Sequence, residues 1–380
     1  MAGTSADSTP DSVEPEVRLR AAIAGLPAYK AGKPAAPFDG TAYKLSSNEN
    51  PYPPLPGVLK VAVAAAEEIN RYPDFGSAAL IEEIARFTGV SAERVAVGTG
   101  SVGVLQQLVQ ATAGPGDEVL FAWRSFEAYP IITQIAGASA VTVPLRADET
   151  HDLDAMADAV TERTRLVLVC NPNNPTGAIV RSEELERFLD RVPRDVLVVL
   201  DEAYIEFVRD EEYPDGVAVS LDRSNVCVLR TFSKAYGLAG IRCGYAVAEA
   251  EVIRDFEKIR NHYGVSRMAQ IAGLEALADQ DYLSSVVARV AAGRERISTI
   301  ARQNDLKPLR SATNFVTIDC GRDGAFALKV MQNLLSRDVF IRKPMVPVLD
   351  RCIRVSVGLD HELDIFAEEL PGALAAARGN

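Results

Sequence analysis

The sequence is poor in the residue patterns that metal and thiol redox sites need. It has 3 histidines and 5 cysteines in 380 residues, and the cysteines are scattered, with no CxxC pair. The histidines are isolated from one another and from any carboxylate-rich motif. These absences argue against a zinc centre or a redox motif, and we expect no metal. Buried, reduced thiols are the expectation, and with them a cytoplasmic location.

Long apolar runs and clusters of basic residues are also missing. No stretch approaches the roughly 20 apolar residues of a membrane span, and the first residues lack the basic start and apolar core of a secretory signal. The balance of 40 Lys+Arg against 52 Asp+Glu gives a net charge of −12. Because an acidic chain without basic runs is a poor ligand for polyanions, we expect neither nucleic acid nor a membrane as partner.

What the sequence does contain is a regular alternation of short apolar runs and helical segments. Seven runs have the length and β-branched content of strands: 94–97, 118–122, 140–143, 166–170, 196–200, 226–229 and 245–247. Helical patterns separate most of them, at 102–113, 126–136, 154–160 and 182–192. This alternation predicts an α/β fold with a mainly parallel seven-stranded sheet that helices cover on both faces.

The length and a change of rhythm predict two domains and an arm. Residues 1–40 are rich in Pro, Gly and polar residues and read as an N-terminal arm whose first ~16 residues are flexible. A large domain is expected over 41–264. Beyond it, long helical patterns and three short strand candidates predict a smaller α+β domain over 265–380: helices at 269–278, 284–303, 325–335 and 362–376, strands at 315–318, 339–341 and 353–357.

The densest group of reactive side chains is the run from Thr231 to Tyr245, TFSKAYGLAGIRCGY, directly after an apolar strand. Lys234 would be partly desolvated there, which favours the neutral amine that forms a Schiff base with an aldehyde. The hydroxyls of Thr231 and Ser233 and the guanidinium of Arg242 suit a phosphate group. A surface loop with an incidental lysine is the alternative.

Two further strand ends carry polar side chains. The apolar strand at 196–200 runs into Asp201-Glu-Ala-Tyr204, and the motif CNPNNPTG follows the strand before it. A carboxylate at such a strand end is costly unless it is paired, so Asp201 would pair with a protonated pyridine nitrogen, unless the strand end is simply solvated. Asn174 and Tyr204 are suitable donors to the phenolate oxygen of the same ring. A lysine, a phosphate site and a pyridine partner together indicate pyridoxal phosphate.

A glycine-rich turn supplies a second anion site. The motif Gly98-Thr-Gly-Ser-Val-Gly103 follows a strand and opens a helix. Backbone N–H groups of Gly100, Ser101 and Val102 at that helix N-terminus form a phosphate cradle. Such turns are common in α/β folds, and the spacing is not that of a dinucleotide-binding fingerprint.

With these motifs in this order, the sequence resembles the class I/II aminotransferases, and within them the histidinol-phosphate aminotransferase family with its aromatic-amino-acid branch. The motifs NPNNPTG, DEAY and TFSKAYGLAGIRCGY carry the resemblance, which covers about residues 26–357. It implies the fold of type I pyridoxal-phosphate enzymes, a homodimer with shared active sites, and Lys234 as the Schiff-base and proton-shuttling lysine. Asp201, Tyr204 and Asn174 match the residues that hold the ring.

The resemblance also assigns residues that the motifs alone do not. Phe126 matches the aromatic side chain that stacks on the pyridine ring. Tyr72 matches a tyrosine that reaches the phosphate of the neighbouring subunit's cofactor. Arg354 matches the arginine that binds the substrate carboxylate. Arg342 matches an arginine that helps to bind a substrate phosphate. Tyr29 matches a residue of the N-terminal arm that closes the site.

The predicted activity is a ping-pong transfer of an amino group between an amino donor and a 2-oxo acid such as 2-oxoglutarate. Histidinol phosphate and an aromatic amino acid, phenylalanine or tyrosine, stay open as donors. Val102-Gly103 stands where an acidic pair is common, and WRSFEAYP is more typical of the aromatic branch. The alternatives are a lyase on the same scaffold, of the amino-acid-phosphate decarboxylase type, and a non-catalytic domain that senses the cofactor.

Overall fold

This computed structural model describes residues 42–379 together with residues 20, 23 and 26. Its strands are β1 Tyr43–Lys44, β2 Val95–Gly98, β3 Glu118–Trp123, β4 Ser139–Pro144, β5 Thr164–Cys170, β6 Leu197–Asp201, β7 Val226–Thr231, β8 Gly244–Val247, β9 Lys307–Pro308, β10 Phe315–Asp319, β11 Val339–Phe340 and β12 Cys352–Ser356. Apart from those three residues, the predicted arm lies outside the described part of the chain.

Seven strands form one large sheet in the order β2-β8-β7-β6-β5-β3-β4. Strands β4, β3, β5, β6 and β7 pair in parallel, and β8 is antiparallel to both of its neighbours. Each predicted strand of this sheet is present, with ends within two residues of the prediction. The predicted fold class, α/β with a mainly parallel seven-stranded sheet, is confirmed.

Successive strand residues point to opposite sides of the sheet, and both sets are buried in every strand except the edge strand β4, which is mostly exposed. In β3, Val119 and Phe121 belong to one apolar cluster and Leu120 and Ala122 to another. The helices of the described chain are α1 Pro56–Ala66, α2 Ala78–Thr88, α3 Gly100–Thr112, α4 Ala128–Ala136, α5 Leu153–Asp158, α6 Ser182–Arg191, α7 Gly216–Asp222, α8 Ala250–Glu257, α9 Arg267–Ala278, α10 Gln280–Gln303, α11 Gly324–Leu335 and α12 Asp360–Arg378. Helices α10, α11 and α12 pack with the C-terminal strands rather than on the large sheet. The sequence patterns did not predict α1, α2, α7 and α8.

The C-terminal part contains a three-stranded antiparallel sheet in the order β12-β10-β9. Strand β11, predicted as part of this smaller unit, pairs in parallel with β1 instead. Residues just after the arm are therefore tied to the C-terminal part by backbone hydrogen bonds. We retain 41–264 and 265–380 as proposed domains. No helix in the described part of the chain is both long and apolar enough to cross a membrane.

Candidate active site

A cavity of about 290 Å³ lies where the parallel strands β5, β6 and β7 end. Polar side chains collect at this edge because the carboxyl ends of neighbouring parallel strands meet there. The predicted residues that line the cavity are Ser101, Val102, Phe126, Asn174, Asp201, Tyr204, Thr231, Ser233, Lys234, Arg242, Arg342 and Arg354. Motifs separated by more than 200 residues therefore share one chamber.

Lys234 lines the cavity and makes a single hydrogen bond through its side chain to the described part of the chain. Its Nζ donates to the main-chain oxygen of Asn48 at 3.0 Å, and Nζ lies 5.7 Å from the centroid of the Tyr204 ring. Burial and, to a smaller extent, the nearby Arg354 guanidinium lower the pKa of Lys234 to about 8. At neutral pH a useful fraction of this amine is thus uncharged and nucleophilic.

Asp201 is the last residue of β6 and is buried. Its Oδ2 accepts a hydrogen bond from the Tyr129 hydroxyl at 2.7 Å, whereas its Oδ1 is buried without a partner among the described groups. Burial raises the pKa of Asp201 to about 6. A buried carboxylate oxygen without a donor is costly, so this end of the cavity is suited to a cationic N–H group.

Tyr129 is a site residue that the sequence reasoning missed. It lies in α4, is fully buried, and packs edge-on against Phe126 with ring centroids 5.7 Å apart. The motif RSFEAY contains it, but nothing in the sequence says that its hydroxyl meets a carboxylate 72 residues away. Only the fold brings α4 beneath the end of β6.

We expect Tyr129→Phe to destabilise the protein by about 1–3 kcal/mol, because Asp201 Oδ2 loses its buried donor. The lost hydrogen bond also raises the pKa of Asp201 further, since that bond lowers it. Thermal unfolding measures the first effect. Tyr282→Phe is the control, because the Tyr282 hydroxyl bonds an exposed carbonyl of Pro53. Equal melting temperatures for the two variants would contradict the assignment of Tyr129 as a stabilising donor to Asp201.

Another group of residues in the cavity lining provides donors for an anion. The start of α3 supplies Ser101 and Val102. The Thr231 hydroxyl donates to Ser233 Oγ at 3.0 Å, and Arg242 Nη1 donates to the same oxygen at 3.3 Å. Hydroxyls, a guanidinium and a helix N-terminus suit a phosphate.

Gly100 explains why the turn at the start of α3 is glycine-rich. It has φ +78°, and a Cβ added to it would lie 2.4 Å from Arg242 Nη2. Gly100 itself does not line the cavity, but its lack of a side chain lets the guanidinium approach the start of the helix. Arg242 also adopts a left-handed conformation, with φ +62°.

Asn174 and Tyr204, which also line the cavity, are held by hydrogen bonds. Arg354 Nη1 donates to Asn174 Oδ1 at 2.6 Å and its Nη2 to the main-chain oxygen of Ser46 at 2.9 Å. Asn48 Nδ2 donates to the Tyr204 hydroxyl at 3.0 Å. Burial lowers the pKa of Arg354 to about 10 and raises that of Tyr204. Ser46 and Asn48 contact the site and were missed, because the segment SSNEN carries no pattern that predicts it.

Tyr72 is a predicted residue that lies elsewhere. Tyr72 does not line the cavity: it is 77% exposed and stacks on Tyr263 with ring centroids 4.5 Å apart. Tyr29 lies outside the described residues. Within the described ranges, no group of three or more His, Cys, Asp or Glu side chains is placed to hold a metal ion.

The sequence model of the family called aminotransferase class I and II matches residues 41–370. The chain belongs to this family. It is therefore an aminotransferase that uses pyridoxal phosphate and acts on an amino acid and a 2-oxo acid. The family, activity and cofactor predicted from the motifs are confirmed.

Individual relatives agree with this assignment. The chain is 54% identical to an aromatic amino acid aminotransferase of Streptomyces coelicolor, over 93% of this chain and 96% of the relative. It is 47% identical to one of Thermobifida fusca, over 92% and 95%. A solved histidinol-phosphate aminotransferase of Sinorhizobium meliloti, in complex with pyridoxal phosphate, has a TM-score of 0.89 and 37% identity, covering 94% of this chain and 98% of that one.

The residues in the cavity fit this cofactor chemically. The unpartnered Oδ1 of Asp201 is an acceptor for a ring N–H. Lys234, with its lowered pKa, is an amine for an aldehyde. Ser233 and Arg242 provide donors for a phosphate. Each polar group of pyridoxal phosphate thus has a complementary side chain in the same chamber.

Proposed function

We propose that this aminotransferase moves the amino group between an aromatic amino acid and a 2-oxo acid such as 2-oxoglutarate. The observation that carries the proposal is the position of Arg354. It lines the same cavity as Lys234 and Asp201, and its guanidinium bonds, among the described residues, only to neutral oxygens of Asn174 and Ser46. A substrate carboxylate is the anion that such a site accepts. The names of the relatives favour aromatic donors.

In this proposal the residues divide by role. Asp201 pairs with the ring nitrogen, Phe126 stacks on the ring, and Asn174 and Tyr204 bond its phenolate oxygen. The phosphate is surrounded by Ser101, Val102, Thr231, Ser233 and Arg242, and Gly100 leaves room for the Arg242 guanidinium. When bound, the cofactor supplies an electron sink for the electron pair left as the α-proton departs. Lys234 Nζ, positioned by its contact with the Asn48 oxygen, takes that proton and returns it.

The lowered pKa of Lys234 predicts how cofactor uptake depends on pH. Below pH about 8 the amine is mostly protonated, so each unit of decrease lowers the reactive fraction roughly tenfold. We expect the rate at which cofactor-free protein binds pyridoxal phosphate covalently to rise up to about pH 8 and then level off. Stopped-flow absorbance over pH 6–10 measures it. A rate that keeps rising to pH 10, as for free N-acetyl-lysine, would contradict the lowered pKa.

Turnover of three donors with 2-oxoglutarate tests the substrate assignment: phenylalanine, tyrosine and histidinol phosphate. We expect the two aromatic amino acids to have the larger kcat/KM. Histidinol phosphate is the second candidate because Arg342 also lines the cavity and the Sinorhizobium meliloti protein bears that activity in its name. A preference of tenfold or more for histidinol phosphate would reverse the proposal, and carbon dioxide release without a 2-oxo acid would indicate a lyase.

We also propose that the enzyme is a homodimer in which Tyr72 reaches the partner's cofactor. We propose a cytoplasmic location as well. Tyr72 lies beside other exposed apolar side chains, Phe75 and Tyr263, and such patches are typical of protein interfaces. Five free, buried cysteines support a reducing compartment. Sedimentation equilibrium should give twice the chain mass of 40.9 kDa, and Tyr72→Asp should shift it toward the monomer. A wild-type monomer at micromolar concentration would exclude the shared site.

A further inference from the structure

Two arginines of the cavity face each other across a backbone pair. Arg342 N donates to the Arg354 oxygen at 3.0 Å, and Arg354 N donates to the Arg342 oxygen at 2.6 Å. Directly opposed residues of an antiparallel pair project to the same side. Both guanidiniums line the cavity, so a substrate meets two adjacent cationic side chains.

These two cations differ in what compensates their charge. Within the described part of the chain, no carboxylate lies within ion-pair distance of Arg354, whose acceptors are neutral oxygens. Arg342 Nη2 lies 2.8 Å from Glu127 Oε2. The other oxygen of Glu127, Oε1, lies 2.5 Å from Arg124 Nη2. One carboxylate therefore holds two guanidiniums, one with each oxygen.

Glu127 is well placed to remain in this position. It directly precedes α4, where the partial positive charge of the helix N-terminus favours an anion. Its partner Arg124 has a side chain that is only 9% exposed and lies over the Trp123 ring, 4.5 Å from the centroid. The Glu127 side chain itself is 30% exposed and lines the cavity. The carboxylate is therefore both fixed and within reach of a bound substrate.

We propose that Glu127 determines how the site discriminates between substrates with one and with two anionic groups. A substrate with a single carboxylate and a neutral ring binds Arg354 and leaves the cluster of Arg124, Glu127 and Arg342 intact. A substrate with a second anionic group has to compete with Glu127 for the two guanidiniums and meets its charge. The inference rests on the proposed function, because it explains how one cavity takes an aromatic side chain and a dicarboxylate in turn.

Binding of two unreactive ligands to the holoenzyme tests this role. Glutarate carries two carboxylates, and 3-phenylpropionate carries one carboxylate and a ring. We expect Glu127→Gln to tighten glutarate about tenfold and to change 3-phenylpropionate less than twofold, because the substitution removes one anion beside the second subsite only. Glu49→Gln is the matched control: Glu49 also lines the cavity but pairs with Lys44. Glu49→Gln should leave the ratio of the two dissociation constants within twofold of the wild-type ratio.

Equal tightening of both ligands by Glu127→Gln, or an unchanged glutarate affinity, would overturn the proposal. If Glu127→Gln does not fold, Arg342→Gln replaces it, with an expected tenfold loss for glutarate alone; equal losses for both ligands would overturn the role. The readout is independent of turnover. If the enzyme does not turn over phenylalanine but Glu127→Gln changes the ratio of the two dissociation constants, the proposed function is refuted. If the enzyme turns over phenylalanine but the ratio stays constant, the role of Glu127 is refuted.

Discussion

Lys234→Ala is expected to lower kcat about 10⁴-fold, the upper range for removing a proton-transferring group. The substitution removes the amine whose Nζ lies at the cavity, 3.0 Å from the Asn48 oxygen, and no second lysine lines the cavity among the described residues. The purified variant should also lack the visible absorbance of lysine-linked cofactor. Steady-state kinetics and an absorbance spectrum measure the two effects.

Two companion variants separate chemistry from charge. Lys234→Arg keeps a cation in place but cannot bond to an aldehyde, so it should be as inactive as Lys234→Ala. Lys44→Ala removes an exposed lysine whose partner Glu49 lines the cavity, and kcat should stay within twofold of wild type. Substantial activity in Lys234→Arg would mean that the group contributes charge only.

Asp201→Asn is expected to lower kcat/KM about 10³-fold, because a buried cation that loses its charged partner costs several kcal/mol. The effect on the cofactor-free protein has the opposite sign. Burial raises the pKa of Asp201 from 3.8 to about 6. The ionised form therefore destabilises the fold, and this loss develops as the pH rises from about 4 through 6. At pH 7.5, Asn should stabilise the cofactor-free protein by roughly 2–3 kcal/mol.

Thermal melting of the cofactor-free variant over pH 4–8 measures the change in stability. Steady-state kinetics of the holoenzyme measures the change in kcat/KM. The gain from Asp201→Asn should vanish near pH 4 and reach its full size above pH 6 to 7. Asp195→Asn is the control, because Asp195 is an exposed turn residue that precedes the same strand, and it should change neither quantity. A variant that loses stability and activity together would show that Asp201 acts as an ordinary structural carboxylate.

Strand ends were predictable from the sequence because the buried parallel strands are continuous apolar runs with polar stops. The run ending at Leu200 and the motif beginning at Asp201 place a carboxylate at a strand end without any knowledge of the fold. The same logic placed Asn174 and Lys234 at neighbouring strand ends, and the structure puts both at the cavity.

The rest of the cavity depends on contacts between distant segments, which no local pattern carries. Tyr129 meets Asp201 across 72 residues, and Asn48 meets Tyr204 across 156. Helix α1 was missed because it is apolar over much of its surface and has no polar side-chain cap at its start. The pairing of strand β11 with β1 was not predicted, because a two-residue strand has too few residues to indicate its partner.

Trapping the cofactor tests the central claim, that Lys234 is the lysine to which pyridoxal phosphate bonds. The holoenzyme is reduced with borohydride, digested and mapped by mass spectrometry. We expect a stable phosphopyridoxyl group on the peptide that contains Lys234, and none on peptides containing Lys44 or Lys343. The modification on a different lysine, or none at all in a protein with visible cofactor absorbance, would contradict it.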